Sequence, residues 1–289
     1  YVFQKDAYED QIDRAAENIR NADCVIIGAG AGASTAAGIQ YGGKRFTDNF
    51  GEFIEKYGVH YMTDMYAAGF YPYPSEEAKW GYWSKHALMN RFDPPALPLY
   101  TKLYDIVKSK EYFVLTTNVD HQFYKAGFDE KRIFATQGDY GKIQCQKACH
   151  SKTYDAKELF RKMDEARKDC LIPSELVPKC PVCGGNMAMN LRCDNYFVED
   201  EAWHEAADRY ACFLEQNKDK KVVLLELGVG FNTPIIIRFP FEKMVRENPS
   251  YSLIRLNMDE AVVPESFGER AIGIGGDMAK AIADIRGLV

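Results

Sequence analysis

The sequence lacks any uninterrupted apolar run of the about 18 residues that a membrane-spanning helix needs. Residues 1–20 are acidic and amphipathic, unlike a signal peptide. Basic residues are in the minority, because 36 Lys and Arg stand against 42 Asp and Glu, a formal net charge of -6. Internal repeats and low-complexity tracts are absent. The sequence therefore predicts no membrane span, a cytoplasmic location and no nucleic-acid binding by bulk charge, which needs a clustered basic face.

The composition is that of an ordinary globular protein, with 46% hydrophobic and 27% charged residues in 289. This length suggests one large domain and a smaller one. Such a chain can bury a sizeable core without a disulfide framework. Its 8 cysteines are therefore expected to be thiols or metal ligands.

Six short apolar runs, most of them separated by helical stretches such as Ala7–Ile19 and Asp277–Ile285, predict buried parallel strands. The runs are Asp23–Ile27, Tyr112–Thr116, Arg132–Ala135, Lys221–Leu225, Tyr251–Leu256 and Ala271–Ile274. Strands that alternate with helices indicate an α/β fold with a Rossmann-like, doubly wound parallel sheet. Gly42–Pro95 interrupts this rhythm with many aromatic residues at helical spacing, which predicts a small helical insert.

A glycine-rich turn follows the first run. Gly28-x-Gly30-x-x-Ala33 resembles the turn that lets a pyrophosphate approach the backbone and the N-terminus of a helix. The alternative is a plain tight turn. The acidic residue that binds ribose in dehydrogenases, about 20 residues later, is not evident, which argues against an ordinary dehydrogenase.

Polar residues follow the second run. Asn118 and Asp120 stand at the carboxyl end of a predicted strand, where open parallel sheets bind their ligands. Two residues apart, they can point the same way and bind hydroxyls or a carboxamide. The alternative is a cap on the next helix.

Two cysteine pairs predict a zinc site. Cys145, Cys149, Cys180 and Cys183 offer four thiolates, and glycines beside the second pair suit a tight knuckle. The first pair has one residue more between its cysteines than is usual, so His150 and Cys193 are considered as substitute zinc ligands. The alternative to a zinc site is a set of reduced structural thiols. Cys24, Cys170 and Cys212 are expected to pack as small apolar residues. A charged helix is predicted over Tyr154–Lys168.

These signals divide the chain into three predicted parts. Residues 1–41, 96–144 and 205–289 form the Rossmann-like domain, residues 42–95 the helical insert, and residues 145–204 the smaller zinc-ribbon-like module.

Taken together, the motifs resemble those of the sirtuin family. Gly30–Ile39 matches the family's GAG-x-S-x-x-x-GI, and Thr116–Asp120 matches TQNID. Gly228–Phe231 is similar to GTSL, and the cysteine pairs follow in family order. The family's catalytic histidine is replaced by Gln137, and its V-x-x-FGE acceptor segment by Asn195–Asp200. These departures resemble the macrodomain-linked class M sirtuins, which implies protein ADP-ribosylation, with a lipoylated glycine-cleavage H-like carrier as acceptor and a macrodomain protein that reverses the modification.

The exchange of histidine for Gln137 bears on the reaction. Both sirtuin activities begin by loosening the bond between nicotinamide and ribose in NAD. Deacylation then needs a histidine to take a proton from a ribose hydroxyl, for which a pKa near neutrality is suited. A glutamine amide only donates and accepts hydrogen bonds. We therefore expect weak deacylation and surviving ADP-ribosyl transfer.

The resemblance implies a role for each matched residue. Asn118 would hold the nicotinamide ribose or an ordered water, Asp120 would bind the nicotinamide carboxamide, and Gln137 would lie over the ribose. Arg45 would lie near the pyrophosphate or be a solvated loop charge, and Arg192 would orient an acidic acceptor or lie on the surface. Gly30, Ala31, Gly32 and Ser34 would contact the phosphates of NAD. Gly228, Gly230 and Asn257 would contact its adenosine half, and Asp277 and Met278 would lie at the adenine.

Other interpretations stay open. His121 could replace the missing base, and Glu226 is either a strand-end residue that faces the cleft or an edge charge. The enzyme could instead be an NAD-dependent lysine deacylase, and a non-catalytic NAD sensor and a dehydrogenase are further alternatives.

Overall fold

The computed structural model describes residues 1–289. The strands are β1 (Cys24–Ala29), β2 (Glu111–Thr116), β3 (Ile133–Ala135), β4 (Gly138–Cys145), β5 (Thr153–Asp155), β6 (Met187–Leu191), β7 (Val222–Leu227), β8 (Tyr251–Asn257) and β9 (Ala271–Gly275). The α-helices are α1 (Tyr8–Asn21), α2 (Ala31–Ala37), α3 (Gly43–Asn49), α4 (Gly51–Tyr57), α5 (Met65–Phe70), α6 (Glu76–Ala87), α7 (Pro98–Val107), α8 (Gln122–Lys125), α9 (Lys157–Ala166), α10 (Glu201–Gln216), α11 (Arg238–Glu247) and α12 (Met278–Arg286). No helix is both long and apolar enough to cross a membrane.

The chain folds as two compact units. The nucleotide unit comprises Tyr1–Gly38, Ala96–Gln137 and Ala202–Val289, and the cysteine unit comprises Ile39–Pro95 and Gly138–Glu201. A division of the chain into three parts stays a prediction.

The nucleotide unit is built on a six-stranded parallel sheet in the order β3-β2-β1-β7-β8-β9. All six predicted strands are present. Alternate side chains of β1 point to opposite faces, so Val25 and Ile27 join one apolar core with α1, α7 and α12, while Cys24 and Ile26 join another with α10 and α11. Helices cover both faces, which confirms the doubly wound Rossmann-like prediction.

The cysteine unit combines an antiparallel sheet in the order β5-β4-β6 with the aromatic helices α3–α6. Phe46, Phe50, Phe53 and Tyr82 are fully buried, so these aromatic residues form a packed core. Burial among neighbouring rings lowers the pKa of His86 to about 3, so this imidazole is neutral.

The predicted helix Tyr154–Lys168 was wrong at both ends. Thr153–Asp155 pairs with β4 as β5, and the helix covers only Lys157–Ala166.

Candidate active site

The glycine turn lies at the carboxyl end of β1 and packs against the turn that follows β7. The Gly30 amide donates to the Leu227 carbonyl at 2.9 Å, and the Gly32 amide donates to the Gly228 carbonyl at 3.0 Å. A Cβ on Gly32 would lie 2.7 Å from the Gly228 Cα, and Gly228 itself has a φ of +64°. Backbone therefore meets backbone here, and glycine is required on both sides.

Asn118 ties the end of β2 to this turn. Its Nδ2 donates to the Gly30 carbonyl at 2.8 Å, and its backbone amide donates to the Thr116 hydroxyl at 3.0 Å. The Thr116 hydroxyl in turn donates to the Ala29 carbonyl at 2.9 Å. The amide side chain of Asn118 is thus held in one orientation at the carboxyl edge of the sheet.

Asp120 and Ser34 form a buried polar cluster. The Ser34 hydroxyl donates to Asp120 Oδ2, and the Tyr100 hydroxyl donates to Ser34 Oγ at 2.8 Å. Asp120 is 4% exposed, and burial raises the pKa of its carboxyl group, against the hydrogen bonds from Ser34 and the Gln122 amide, which lower it. This carboxyl group is consequently fixed in place by two donors.

The helix-cap alternative describes part of the role of Asp120. Its Oδ1 accepts the Gln122 amide at 3.2 Å, at the start of α8, while Oδ2 remains bonded to Ser34. His121 has a φ of +66°, and its ring stacks on Tyr124 at 4.2 Å. Replacement of the missing base by His121 stays a prediction.

Gln137 follows β3 and is the last residue of the Ala96–Gln137 segment of the nucleotide unit. The preceding Thr136 carbonyl accepts the Trp203 indole N–H at 3.1 Å, and the Thr136 hydroxyl lies 3.5 Å from Gln137 Oε1. The Gln137 side chain is half-buried.

The turns after β7 and β8 form the other side of this edge. Asn257 Nδ2 donates to the Val229 carbonyl at 3.2 Å, and Glu260 Oε2 accepts the Phe231 amide at 3.0 Å. A Cβ on Gly230 would lie 2.8 Å from Glu260 Oε2.

Glu226 is the penultimate residue of β7, in the middle of the sheet, so it is not an edge charge. It is fully buried and pairs with Arg255 on β8.

Asp277 and Met278 mark the start of α12. Asp277 Oδ1 caps the helix by accepting the Lys280 amide at 3.3 Å, and its side chain is exposed, whereas the Met278 side chain is buried in the apolar core. Their predicted contact with adenine is untested.

Two arginines of the cysteine unit were candidates. Arg45 is not a solvated charge, because its guanidinium donates to the Gln40 carbonyl at 2.8 Å, Asn90 Oδ1 at 2.8 Å and the Met89 carbonyl at 3.0 Å. Burial lowers its pKa.

Arg192 is a surface residue within its unit. It lies 3.7 Å from the Glu199 carboxylate and over the Phe197 ring at 4.5 Å. Its side chain is 40% exposed. The roles of Arg45 and Arg192 towards NAD and acceptor stay predictions.

The four predicted metal ligands come together in the cysteine unit. The Sγ atoms of Cys145, Cys149, Cys180 and Cys183 all lie within 4.8 Å of one another. The Cys145–Cys183 and Cys149–Cys180 Sγ separations are 3.7 and 3.6 Å. A zinc tetrahedron with Zn–S bonds of about 2.3 Å has edges of about 3.8 Å. The four thiols therefore fit a structural zinc ion, which would join two hairpin turns and leave no open position for chemistry.

The substitute ligands are not in this cluster. His150 Nδ1 instead lies 3.1 Å from Cys149 Sγ, and its Nε2 lies 2.7 Å from the Tyr154 hydroxyl, an outer position that orients a ligand. Cys193 is outside the group of four. Cys24 and Cys170 are buried as predicted, but Cys212 is exposed, so its predicted packing was wrong.

Sequence reasoning missed Tyr100 and Glu260. Each acts through a partner far away in sequence, and only the buried face of α7 gives a local signal for Tyr100.

Solved Sir2 structures share this fold. A Sir2 homologue in complex with NAD superposes with a TM-score of 0.60 over 96% of this chain and 95% of that one, at 16% identity. The structure of Sir2Tm bound to a propionylated peptide gives a TM-score of 0.59 over 96% and 99%, at 15% identity. A protein ADP-ribosyltransferase of Staphylococcus aureus is 38% identical over 278 residues, covering 94% of this chain and 87% of that protein. The chain belongs to the sirtuin-type protein ADP-ribosyltransferases.

A second relative of this ADP-ribosyltransferase comes from Fusarium oxysporum f. sp. cubense and is named "Probable bifunctional ADP-ribose hydrolase/ADP-ribosyltransferase". It is 30% identical over 289 residues, and the chain spans about half of its length, with 95% of this chain matching 47% of that protein. No protein-family model matches the chain. The predicted family, fold and class of NAD-dependent enzyme are confirmed, and the macrodomain link stays a prediction.

Proposed function

We propose that this enzyme transfers ADP-ribose from NAD to a lipoylated carrier protein and releases nicotinamide. The bond between ribose C1′ and the nicotinamide nitrogen breaks, a bond from C1′ to the acceptor nucleophile forms, and the proton of the nucleophile leaves to solvent. The observation that carries this proposal is the fixed polar set of Ser34, Asn118 and Asp120 at the carboxyl edge of β1 and β2, with Gln137 nearby in sequence instead of a histidine.

Asp120 is suited to hold the nicotinamide carboxamide. Its carboxyl group is fixed by Ser34 and by the Gln122 amide, so binding needs little reorganisation. Asn118 is held by Gly30 and is proposed to position the nicotinamide ribose. The Gly30–Gly32 turn is proposed to receive the pyrophosphate.

Gln137 is proposed to orient the ribose without acting as a base. A general base contributes about 10²–10⁴-fold to a rate, and an amide has no protonation state to supply it. Transfer to an acceptor that is already a good nucleophile does not depend on that base, whereas deacylation does.

The acceptor and its reversal extend this proposal. We propose that Arg192, exposed beside the segment that replaces the family's acceptor strand, orients an acidic group of the carrier. The Fusarium relative, whose name joins an ADP-ribose hydrolase to an ADP-ribosyltransferase, supports a separate hydrolase, proposed to be a macrodomain protein, as a partner here.

Asn118→Ala tests the catalytic assignment. We expect transfer of label from NAD to lipoylated carrier to fall by roughly 10²–10³-fold, the cost of losing one fixed polar group at a reacting centre. Asn21→Ala, at the exposed end of α1, is the matched control and keeps full transfer. Label transfer that survives Asn118→Ala refutes the assignment, and a wild-type enzyme without transfer supports the NAD-sensor alternative.

Gln137→His separates transfer from deacylation. The variant regains a proton acceptor, but Asn195–Asp200 still replaces the acyl-lysine segment. We expect no gain in deacylation of an acetyl-lysine peptide. A gain approaching the about 10²–10⁴-fold of a general base would show that only the base is missing and would favour the deacylase alternative.

A further inference from the structure

A network of four buried charges lies beneath the turn that follows β7. Glu226 on β7 and Arg255 on β8 are partners across the parallel ladder. Arg255 binds Glu226 with both arms, at 2.6 and 2.9 Å, and also donates to Glu242 of α11 at 3.0 Å. Arg238 lies 3.9 Å from Glu226, and all four side chains are at most 2% exposed. The charges sum to zero.

Stability alone is a weak explanation for this network. Removing an ion from water carries a large desolvation cost, and apolar replacements of buried ion pairs are often as stable. The contacts that Arg238 makes outside the network give a better explanation. Its Nη1 donates to the Val229 carbonyl at 2.8 Å, and its Nη2 donates to the carbonyls of Glu260 and Val262 at 3.0 and 3.4 Å. One guanidinium thus joins the turn after β7 to the turn after β8.

The same guanidinium supports the surface of these turns. The Phe231 ring lies 3.8 Å above it, and the Tyr1 ring packs edge-on against Phe231 at 5.5 Å. Arg238 Nε is buried and makes no hydrogen bond, so the carbonyl contacts of the two Nη atoms set the position of the side chain. Only a group with several donors satisfies inward-facing carbonyls, and a planar guanidinium provides them in fixed directions.

We propose that Arg238 is a positioning residue for NAD, which holds residues 228–231 in the shape that receives the adenosine half. Glu226 acts through Arg238 by balancing its charge, and Arg255 acts one step further away by holding the Glu226 carboxylate. The inference rests on the proposed function, which assigns Gly228, Gly230 and Asn257 to adenosine. The turns involved leave neighbouring parallel strands at their carboxyl ends, where such sheets bind ligands.

Arg238→Met is the direct test, with Arg270→Met as its matched control. Arg270 also donates to three carbonyls, those of Val245, Asn248 and Tyr251. These carbonyls lie near the amino end of β8, away from the carboxyl ends of the strands where the proposed NAD site lies. We expect Arg238→Met to raise the KM for NAD and the inhibition constant of ADP-ribose about tenfold or more, because charged hydrogen bonds that order the turn are lost. The kcat at saturating NAD and inhibition by nicotinamide should stay within about twofold.

Arg270→Met should lower the melting temperature and leave both constants for NAD and ADP-ribose unchanged. If the two variants lower the melting temperature alike and neither changes those constants, the network is only structural and the proposal is wrong. Should Arg238→Met fail to fold, Phe231→Ala decides, since that ring is 38% exposed. A rise of a few-fold in both constants supports the proposal, and unchanged constants overturn it.

Binding measurements on the wild-type enzyme separate a failure of the proposed function from a failure of this inference. A wild-type enzyme that binds neither NAD nor ADP-ribose refutes the proposed function and this inference with it. A wild-type enzyme that binds both, beside an Arg238→Met variant that binds both equally well, refutes the inference alone.

Discussion

The two units are stabilised by different means. In the nucleotide unit, every strand of the six-stranded sheet is hydrogen-bonded to its neighbours, and the buried charges of Glu226 and Arg255 are paired across adjacent strands. The cysteine unit has three short strands, a core of stacked rings and four converging thiols. The first unit is therefore stabilised by regular backbone pairing and apolar burial, and the second has in addition four thiols placed to bind a metal ion.

Removal of zinc should have the largest effect on the difference between the two units, because it should destabilise only the cysteine unit. Binding of structural zinc contributes on the order of 10–16 kcal/mol in small zinc-finger peptides. A chelator should therefore increase amide hydrogen exchange in β4 and β6, while the amides of the six-stranded sheet stay protected. Hydrogen exchange with and without chelator measures this difference, and elemental analysis gives zinc per chain.

Two cysteine variants serve as controls for the metal. Cys180→Ser should lose the zinc, and Cys212→Ser, exposed and outside the cluster, should keep it. Zinc per chain near zero in the wild type, or equal protection after chelation, contradicts the assignment.

A pair of glycine variants sharpens the comparison at smaller scale. Gly32→Ala places a Cβ 2.7 Å from the Gly228 Cα, so the two turns must separate, and we expect a loss of about 1–3 kcal/mol in the free energy of unfolding. Gly51→Ala in the cysteine unit meets nothing within 4 Å, and we expect a gain of about 0.4–1 kcal/mol. Urea denaturation compares them, and equal effects would mean that the close approach of the turns is not rigid.

Asp120→Asn gives the smallest expected effect and depends on pH. Burial raises the pKa of Asp120, so the folded state favours the protonated carboxyl group and the ionised form lowers stability above that pKa. The variant should be more stable than wild type at neutral pH, with an advantage that shrinks as the pH falls through the raised pKa. Urea midpoints across pH measure it, with the exposed Asp48→Asn as control. An advantage that grows towards acid would contradict the sign.

The sheet of the nucleotide unit could be predicted because its signal is local. Each strand is a short apolar run, and the glycines that follow β1 and β7 mark the turns. The strands of the cysteine unit could not be predicted in the same way. β4 contains two glycines and charged residues, and β5 is a three-residue strand before a charged helix, so neither shows a regular apolar period.

The site divides along the same line. Asn118 and Asp120 could be predicted as site residues because they follow the end of a predicted strand. The four cysteines could be predicted as metal ligands because they occur in two closely spaced pairs along the sequence. Glu226 shows the limit, because its partner Arg255 is 29 residues later and becomes visible only through the register of β7 and β8. The contact between Ser34 and Asp120 likewise joins residues 86 positions apart.

The strand order of the nucleotide unit also has a consequence for synthesis on the ribosome. β7 lies between β1 and β8, yet it is made after the whole cysteine unit. The fourth thiol, Cys183, emerges before β7, so the cysteine unit can acquire its metal while β1 still has one open edge. Because unpaired strand edges favour aggregation, we expect metal supply during translation to affect the yield of native enzyme.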